Sequence, residues 1–307
     1  MAVPMVLDCD PGHDDAMALL LAIADPAVDL LAVTTVAGNQ TVDKCTINAR
    51  RVLSLAGVSD IPVARGADRP LVRRLRIADD VHGQTGLDGP QFDTELSVPE
   101  SPSTAHDVLL DVLRNSATPV TIVATGALTN IARLVSEETG NIAEIVWMGG
   151  STERGNAEPA AEFNALVDPE AAEIVFTSGV PLTMVGLNLT HQALATGDVI
   201  DRLRAMGSPA SEAAIGWLGF FADTYRALYG FEGPPVHDPC ALALVIDPSV
   251  VRCVDAFVAI ETEGRWTRGS TVVDLHGRLG RGPNARVAME LDRNRFWDLV
   301  LGAIAAL

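Results

Sequence analysis

The sequence predicts an α/β fold, Rossmann-like, with a mostly parallel open sheet and helices on both faces, to which C-terminal helices and antiparallel strands are added. Three observations lead there. Short apolar, β-branched runs alternate with longer helical patterns through most of the chain, and a βαβα order closes into a parallel sheet flanked by helices. Gly and Pro fall between these runs, with no low-complexity tract and no repeat. After about residue 195 the alternation gives way to helices and then to a strand-rich tail.

Taken in order, Val3 to Leu7 is the first strand by its apolar, β-branched content. Pro11 and Gly12 follow it, and Pro offers no N–H to a ladder while Gly lets the backbone turn sharply. The helical run Ala16 to Ala24 comes next, then the strand Asp29 to Val36 and the helix Thr41 to Ala56. Ala105 to Asn115 has helical spacing, Val120 to Thr125 reads as strand, and Leu128 to Ser136 as helix. Glu144 to Met148 and Pro181 to Val185 are shorter strands on either side of the helix Pro169 to Ser178. Beyond these lie helices at Gly197 to Met206 and Ser211 to Tyr229, antiparallel strands within Phe257 to Leu291, and a closing helix from Phe296 to Ala306.

At 307 residues, 48% of them hydrophobic, the chain can bury a large core, and no linker divides it, so one domain is expected over residues 1–307. A formal charge of −18 argues against nucleic acid or a polyanionic substrate, because phosphate binding needs a basic face. Cys9, Cys45, Cys240 and Cys253 are far apart in sequence and form no C-x-x-C pair, which reads as reduced core thiols. Met1 to Leu7 is too short for a signal peptide and lacks a basic stretch, and no apolar run reaches membrane-spanning length. A cytoplasmic protein without a membrane partner is the expectation.

Chemistry concentrates where the first strand ends. Asp8, Asp10, Asp14 and Asp15 fall within eight residues, in Asp8-Cys9-Asp10-Pro11-Gly12-His13-Asp14-Asp15, and in open parallel sheets the carboxyl ends of strands are where ligands bind. Two like charges about 4 Å apart repel by roughly 4 kcal/mol at an effective dielectric of about 20, so a divalent metal is the simplest relief. A solvated acidic loop that caps a helix is the plainer alternative, since the macrodipole favours Asp near a helix start. Side chains alternate along a strand, which puts Asp8 and Asp10 on one side and Asp8 one pleat deeper, as a supporting acid. Adjacent helical residues point about 100° apart, so Asp14 and Asp15 can serve two targets.

Other strand ends carry polar residues too. Ala37-Gly38-Asn39-Gln40 ends the second strand, and Thr125-Gly126 with Thr129-Asn130 ends another. Trp147-Met148-Gly149-Gly150 opens a polar loop through Asn156 to Ala161-Glu162-Phe163-Asn164, and His237-Asp238-Pro239 precedes an apolar helix. With the run Asp8 to Ala16, these motifs stand in the same order as in the inosine-uridine preferring nucleoside hydrolase family, which the chain resembles over nearly its whole length.

That resemblance implies a Ca²⁺-dependent N-glycosidase that cleaves ribonucleosides to ribose and free base. It implies Asp10, Asp15, the backbone carbonyl of Thr125 and Asp238 as metal ligands, and hard oxygen donors without a His or Cys cluster do suit Ca²⁺ or Mg²⁺. Asp14, Asn39, Asn156, Glu162, Phe163 and Asn164 match substrate positions, most of them acids and amides suited to a vicinal diol. No G-x-x-x-x-G-K-[ST] phosphate cradle is present, which fits a nucleoside better than a nucleotide. Carboxylates favour the positive charge that builds on the sugar as the glycosidic bond breaks. In this reading the metal polarises a water, Asp10 removes its proton, and the water attacks the anomeric carbon.

Leaving-group help is expected from His237, with His82 a second candidate in a glycine-flanked loop that could act as a lid. Tyr225 and Tyr229 lie one helical turn apart and could both face the base, or could pack in the core instead. The runs around His13 and His82 look most like bacterial members that favour pyrimidine ribonucleosides, uridine and cytidine. A broad inosine-uridine hydrolase is the alternative within the family. From other classes, a haloacid dehalogenase-like phosphatase shares D-x-D after its first strand but expects a Thr or Val two residues beyond Asp10 and a downstream lysine motif. A non-catalytic nucleoside-binding protein differs only in turnover. The resemblance further implies a homodimer or homotetramer.

Overall fold

The computed structural model describes residues 2–90 and 96–307, with the side chains at 223, 224 and 227–229 left aside. Its centre is a sheet of nine strands: β1 (Val3–Cys9), β2 (Val28–Thr35), β3 (Val63–Arg65), β4 (Val120–Ala124), β5 (Ile142–Met148), β6 (Leu182–Val185), β7 (Val251–Ile260), β8 (Thr271–Asp274) and β9 (Ala285–Leu291). Their order is β3-β2-β1-β4-β5-β6-β9-β7-β8. The first six are parallel to one another. β9 continues the sheet parallel to β6, and β7 runs antiparallel to both β9 and β8. The expected α/β architecture is thus present, and its antiparallel tail is fused to the main sheet by the β6–β9 pair.

Period-2 alternation sends β1 into two cores. Met5, Leu7 and Cys9 join the cluster formed with the helices His13–Ala24, Val42–Leu55, Pro239–Ile246 and Arg293–Ala305. Val6 faces the other side, toward the helices Ala105–Asn115, Thr129–Glu137 and Pro169–Thr177. The helix His13–Ala24 is buried from His13 to Ala22, because other helices surround it, and a helix apolar on every side belongs in a core. Each fully buried Leu or Met there contributes roughly 1.5–3 kcal/mol.

Several boundaries differ from the sequence reading. The first strand runs to Cys9, and the helix after it begins at His13. The three-residue β3 and the short helices Asp79–His82, Phe163–Val167 and Leu187–Thr190 are too brief for periodicity to mark. The tail strands begin at Val251, six residues before the expected start. Among the described residues no helix is long and apolar enough to cross a membrane. Cys9, Cys45 and Cys240 are buried free thiols and Cys253 is half-buried.

The sheet order reverses direction between β1 and β4, and at such a switch point the strand ends leave a crevice. Asp10 follows β1 there and Thr125 follows β4.

Candidate active site

The residue that ties this crevice together is Asp15. Its Oδ1 accepts from the Thr125 hydroxyl at 2.8 Å and from the Asp10 N–H at 3.4 Å. Its Oδ2 accepts from the Gly12 N–H at 3.0 Å and from Asn39 Nδ2 at 3.0 Å. One carboxylate therefore joins the ends of β1, β2 and β4 to the helix it helps to start. Asp10 lies beside it, fully buried. Its Oδ2 accepts from the Asn39 N–H at 2.7 Å, whereas Oδ1 has no hydrogen-bond partner among the described residues. Gly38 permits this packing, since a Cβ on it would sit 2.0 Å from Asp10 Oδ2.

Asp14, Asp15 and Asp238 each bring a carboxylate oxygen to within 4.8 Å of the others, and all three are buried. The His237 N–H donates to Asp14 Oδ2 at 3.3 Å, so the segment before the helix Pro239–Ile246 is docked on the acids. Burial, more than any other cause, pushes these groups up: Asp14 to about 7, Asp15 above its ordinary value, and Asp10 and Asp238 well above it. For Asp238 the charges of Asp14, Asp15 and Asp10 add to the effect. Such a cluster calls for protons or a cation. An orphaned Asp10 oxygen beside three converging carboxylates, with hard oxygen donors, fits a divalent ion of the Ca²⁺ or Mg²⁺ kind. Asp14 stands in this converging set, and Asp10 lies outside it, with Oδ2 accepting from the Asn39 amide and Oδ1 without a partner among the described residues. The Thr125 carbonyl accepts from Asn164 Nδ2 at 2.7 Å and keeps a second lone pair.

Above the acids lies a pocket lined by Asp14, Asn39, His82, Thr125, Asn156, Glu162, Phe163, Asn164, Tyr225, His237 and Asp238. Every expected site residue borders it except Asp10 and Asp15, which are buried, and Tyr229, whose side chain lies outside the described residues. Glu162 caps the helix Phe163–Val167: Oε1 accepts from the Asn164 N–H at 2.9 Å, and Oε2 from Gly150 at 2.8 Å and Ala165 at 3.0 Å. Burial raises its pKa to about 7. Asn164 donates both amide hydrogens, to the carbonyls of Thr125 and Met148, so only its amide oxygen remains for a ligand. Asn156 Oδ1 accepts from the Phe163 N–H at 2.9 Å. Asp8 stays out of the pocket, accepting from Thr34 Oγ1 at 2.6 Å and Asn130 Nδ2 at 2.7 Å, as a supporting acid would.

The opposite end is aromatic. Tyr225 Oη lies 2.8 Å from His237 Nε2, and Thr190 Oγ1 lies 2.8 Å from His237 Nδ1. Both ring nitrogens of His237 are engaged, so as placed it reaches a ligand through Tyr225. Burial lowers its pKa to about 3. His82, at the end of the helix Asp79–His82, is buried at the pocket wall. Sequence reasoning missed Arg76, Ala78 and Asp80 at the rim and Phe221 at the wall. Phe221 sits one helical turn before Tyr225, a spacing that could have found it; Thr190 gave no signal in the sequence.

Residues 5–298 match the protein family described as inosine-uridine preferring nucleoside hydrolase. A pyrimidine-specific ribonucleoside hydrolase RihA of Enterobacter sp. (strain 638) is 49% identical to this chain, covering 99% of the chain and 98% of the relative. Among solved structures, a plant nucleoside hydrolase, the PpNRh1 enzyme, superposes with a TM-score of 0.92 at 32% identity over 100% of both chains. A purine-preferring ribonucleoside hydrolase from Gardnerella vaginalis gives 0.91 at 28% identity, over 98% of each.

Proposed function

The chain belongs to the inosine-uridine preferring nucleoside hydrolase family, a family of glycosidases, and from that premise we propose that it hydrolyses pyrimidine ribonucleosides, uridine and cytidine, to ribose and free base. The observation that carries the chemistry is the floor of four buried carboxylates, Asp10, Asp14, Asp15 and Asp238, under a pocket walled by amides and Glu162. Fixed negative charge in a dry site favours a cationic sugar over a neutral nucleoside. The pyrimidine preference is supported by the end-to-end likeness to the Enterobacter relative. The fold itself does not choose a base, since a purine-preferring hydrolase shares it.

Asp14, Asp15 and Asp238, with Asp10 and the Thr125 carbonyl at hand, are the residues that would hold a divalent cation, Ca²⁺ by the resemblance. Such an ion supplies polarisation of a water and an anchor for ribose hydroxyls when bound. Asp10 takes the water's proton at Oδ1, the oxygen with no partner. Asn39, Glu162 and Asn164 orient the ribose, Glu162 through carboxylate oxygens held by three backbone amides. The base departs toward Tyr225, whose hydroxyl is tied to His237 and through it to Thr190. With Thr190 donating to Nδ1 and Nε2–H donating to Tyr225 Oη, the tyrosine O–H is left to hydrogen-bond the departing base, which takes its proton from solvent. Direct donation from His237 would require it to release a partner. A homodimer or homotetramer rests on the resemblance.

Uridine, cytidine, inosine and adenosine assayed side by side for reducing sugar test the reading. The pyrimidine nucleosides should give the highest kcat/KM. Equal or faster turnover of inosine would favour the broad inosine-uridine alternative, and phosphate release without ribose release would revive a phosphatase.

A further inference from the structure

The pocket is acidic except at one point of its rim. Asp14, Asp80, Glu162 and Asp238 line it, and Arg76 is the only Lys or Arg among the described residues that do. That cation is already engaged. Arg76 Nη1 lies 3.3 Å from Glu158 Oε1, and its Nη2 donates to the Ala157 carbonyl at 3.3 Å. The two side chains are 51% and 40% exposed, so the pair stands where a ligand enters from solvent.

The segments that carry the pair are both anchored. Ahead of Arg76, the Leu71 N–H donates to Asp168 Oδ2 at 2.8 Å and Arg73 Nε to Glu170 Oε1 at 2.7 Å. Just after it, the Ala78 N–H donates to the Asn39 carbonyl at 3.2 Å. Glu158 belongs to a tight turn in which Glu158 and Ala161 exchange backbone hydrogen bonds at 3.2 Å and the Gly155 N–H donates to Pro159 O at 3.2 Å. A Cβ on Gly155 would lie 2.1 Å from the Ala161 carbonyl oxygen. Asn156, in the same turn, accepts from the Phe163 N–H at 2.9 Å, which joins the turn to the Glu162 wall. The contact between Arg76 and Glu158 therefore bridges two fixed loops on the Asn156 side of the pocket, at the end away from Tyr225 and His237.

The stereochemistry of a β-ribonucleoside decides what meets this pair. Its two ring hydroxyls lie on one face of the furanose, while the base and C5′ lie on the other, at opposite ends of the ring. With the hydroxyls on the carboxylate floor and the base toward Tyr225, C5′ leaves at the mouth on the Asn156 side, toward Arg76. A free guanidinium there would be a partner for phosphate, which it binds through two parallel N–H bonds. We propose that Glu158 masks Arg76 and thereby makes the site select nucleosides against their 5′-phosphates. Glu158 occupies the cation at the mouth and adds a negative charge of its own, so a 5′-phosphate finds repulsion where it would otherwise find an arginine. Arg76 and Glu158 set specificity without touching the reacting atoms. This deepens the nucleoside hydrolase reading and rests on it for the placement of the ribose.

Glu158→Gln is the test, because the amide keeps the side chain's length and an oxygen for Arg76 but removes the charge. Ribose and ribose 5-phosphate are titrated calorimetrically into the calcium-loaded parent, Glu158→Gln, and the double variant Glu158→Gln with Arg76→Gln. Uridine and uridine 5′-monophosphate are assayed for reducing sugar with the same proteins. In Glu158→Gln, the affinity for ribose 5-phosphate relative to ribose and the kcat/KM for the monophosphate relative to uridine should both rise about tenfold, the size of one hydrogen bond between charged groups. Uridine should be turned over as in the parent, and added salt should shrink the gain. The double variant should lose it. Unchanged ratios in Glu158→Gln would overturn the proposal, and so would a gain that persists without Arg76, which would leave Glu158 as one repelling charge among several. A parent that releases no ribose from uridine would count against the hydrolase reading alone, since the binding ratios decide the masking of Arg76 without turnover.

Discussion

Replacing Gly38 by Ala tests how tightly Asp10 must be held. A Cβ there would stand 2.0 Å from Asp10 Oδ2, a full ångström inside the 3.0 Å below which such contacts essentially never occur. Gly38 needs no left-handed backbone, so the substitution acts through that contact and not through strain in the turn. The carboxylate must move by about an ångström, and the 2.7 Å bond from the Asn39 N–H breaks with it. Losing a hydrogen bond to a charged group costs about 1.5–3 kcal/mol. A displacement of that size at a reacting group costs about 100-fold in rate. The assay is kcat on uridine by reducing-sugar release, with a thermal melt on the same sample. Gly302→Ala is the control: nothing lies within 4 Å of its added carbon, in the helix Arg293–Ala305. It should leave kcat unchanged and raise stability by about 0.5–1 kcal/mol. Parental kcat and melting temperature in Gly38→Ala would refute the claim that the placement of Asp10 controls turnover.

Three other outcomes are expected. In protein stripped of metal, Asp14 and Glu162 have folded pKa values of about 7, raised by burial from 3.8 and 4.5. Their stabilising contribution is therefore present below about pH 4 and lost as pH rises through about 7. The difference in melting temperature between calcium-loaded and chelated protein should widen over that range, and a constant difference would contradict the carboxylate cluster as the metal site. A 2′-deoxynucleoside leaves buried polar partners unpaired, so 2′-deoxyuridine should lose roughly 10⁴-fold in kcat/KM, and comparable values for uridine and deoxyuridine would remove the ribose-binding role of Asp14, Asn39, Glu162 and Asn164. His237→Ala should depress uridine hydrolysis far more than p-nitrophenyl riboside hydrolysis, because the activated leaving group needs little protonation; equal losses would leave His237 as a support for Asp238 and Tyr225.

Much of the site was legible because its residues sit where the chain changes element. Asp10, Asn39 and Thr125 each follow the end of a strand, and Asp14 and Asp15 open a helix, so sequence position alone places them at one edge of a parallel sheet. The acid-and-amide wall of the pocket was legible for a similar reason, with Glu162 and Asn164 at the start of a short helix after β5. What sequence spacing could not give is which oxygens converge. Asp14 joins Asp15 and Asp238 within 4.8 Å while Asp10 turns one oxygen to a backbone amide. Thr190 stayed hidden because it touches the pocket only through His237, 47 positions away. The loop around His82 is tied to its neighbours by hydrogen bonds from Asn48, on the helix Val42–Leu55, and from Gln40 just before that helix, contacts that sequence spacing does not show. β3 was missed because three residues in a Pro-flanked stretch carry no period.

Asp10 is proposed to take the proton from the attacking water in ribonucleoside hydrolysis. Uridine turnover by the parent and by Asp10→Asn, with calcium content measured in the same samples, decides it. The parent should release one ribose per uracil, and the variant should retain metal while kcat falls at least about 100-fold, the lower range for general acid–base catalysis. A metal-loaded variant that works within a few-fold of the parent, or a parent that releases no ribose, would contradict it.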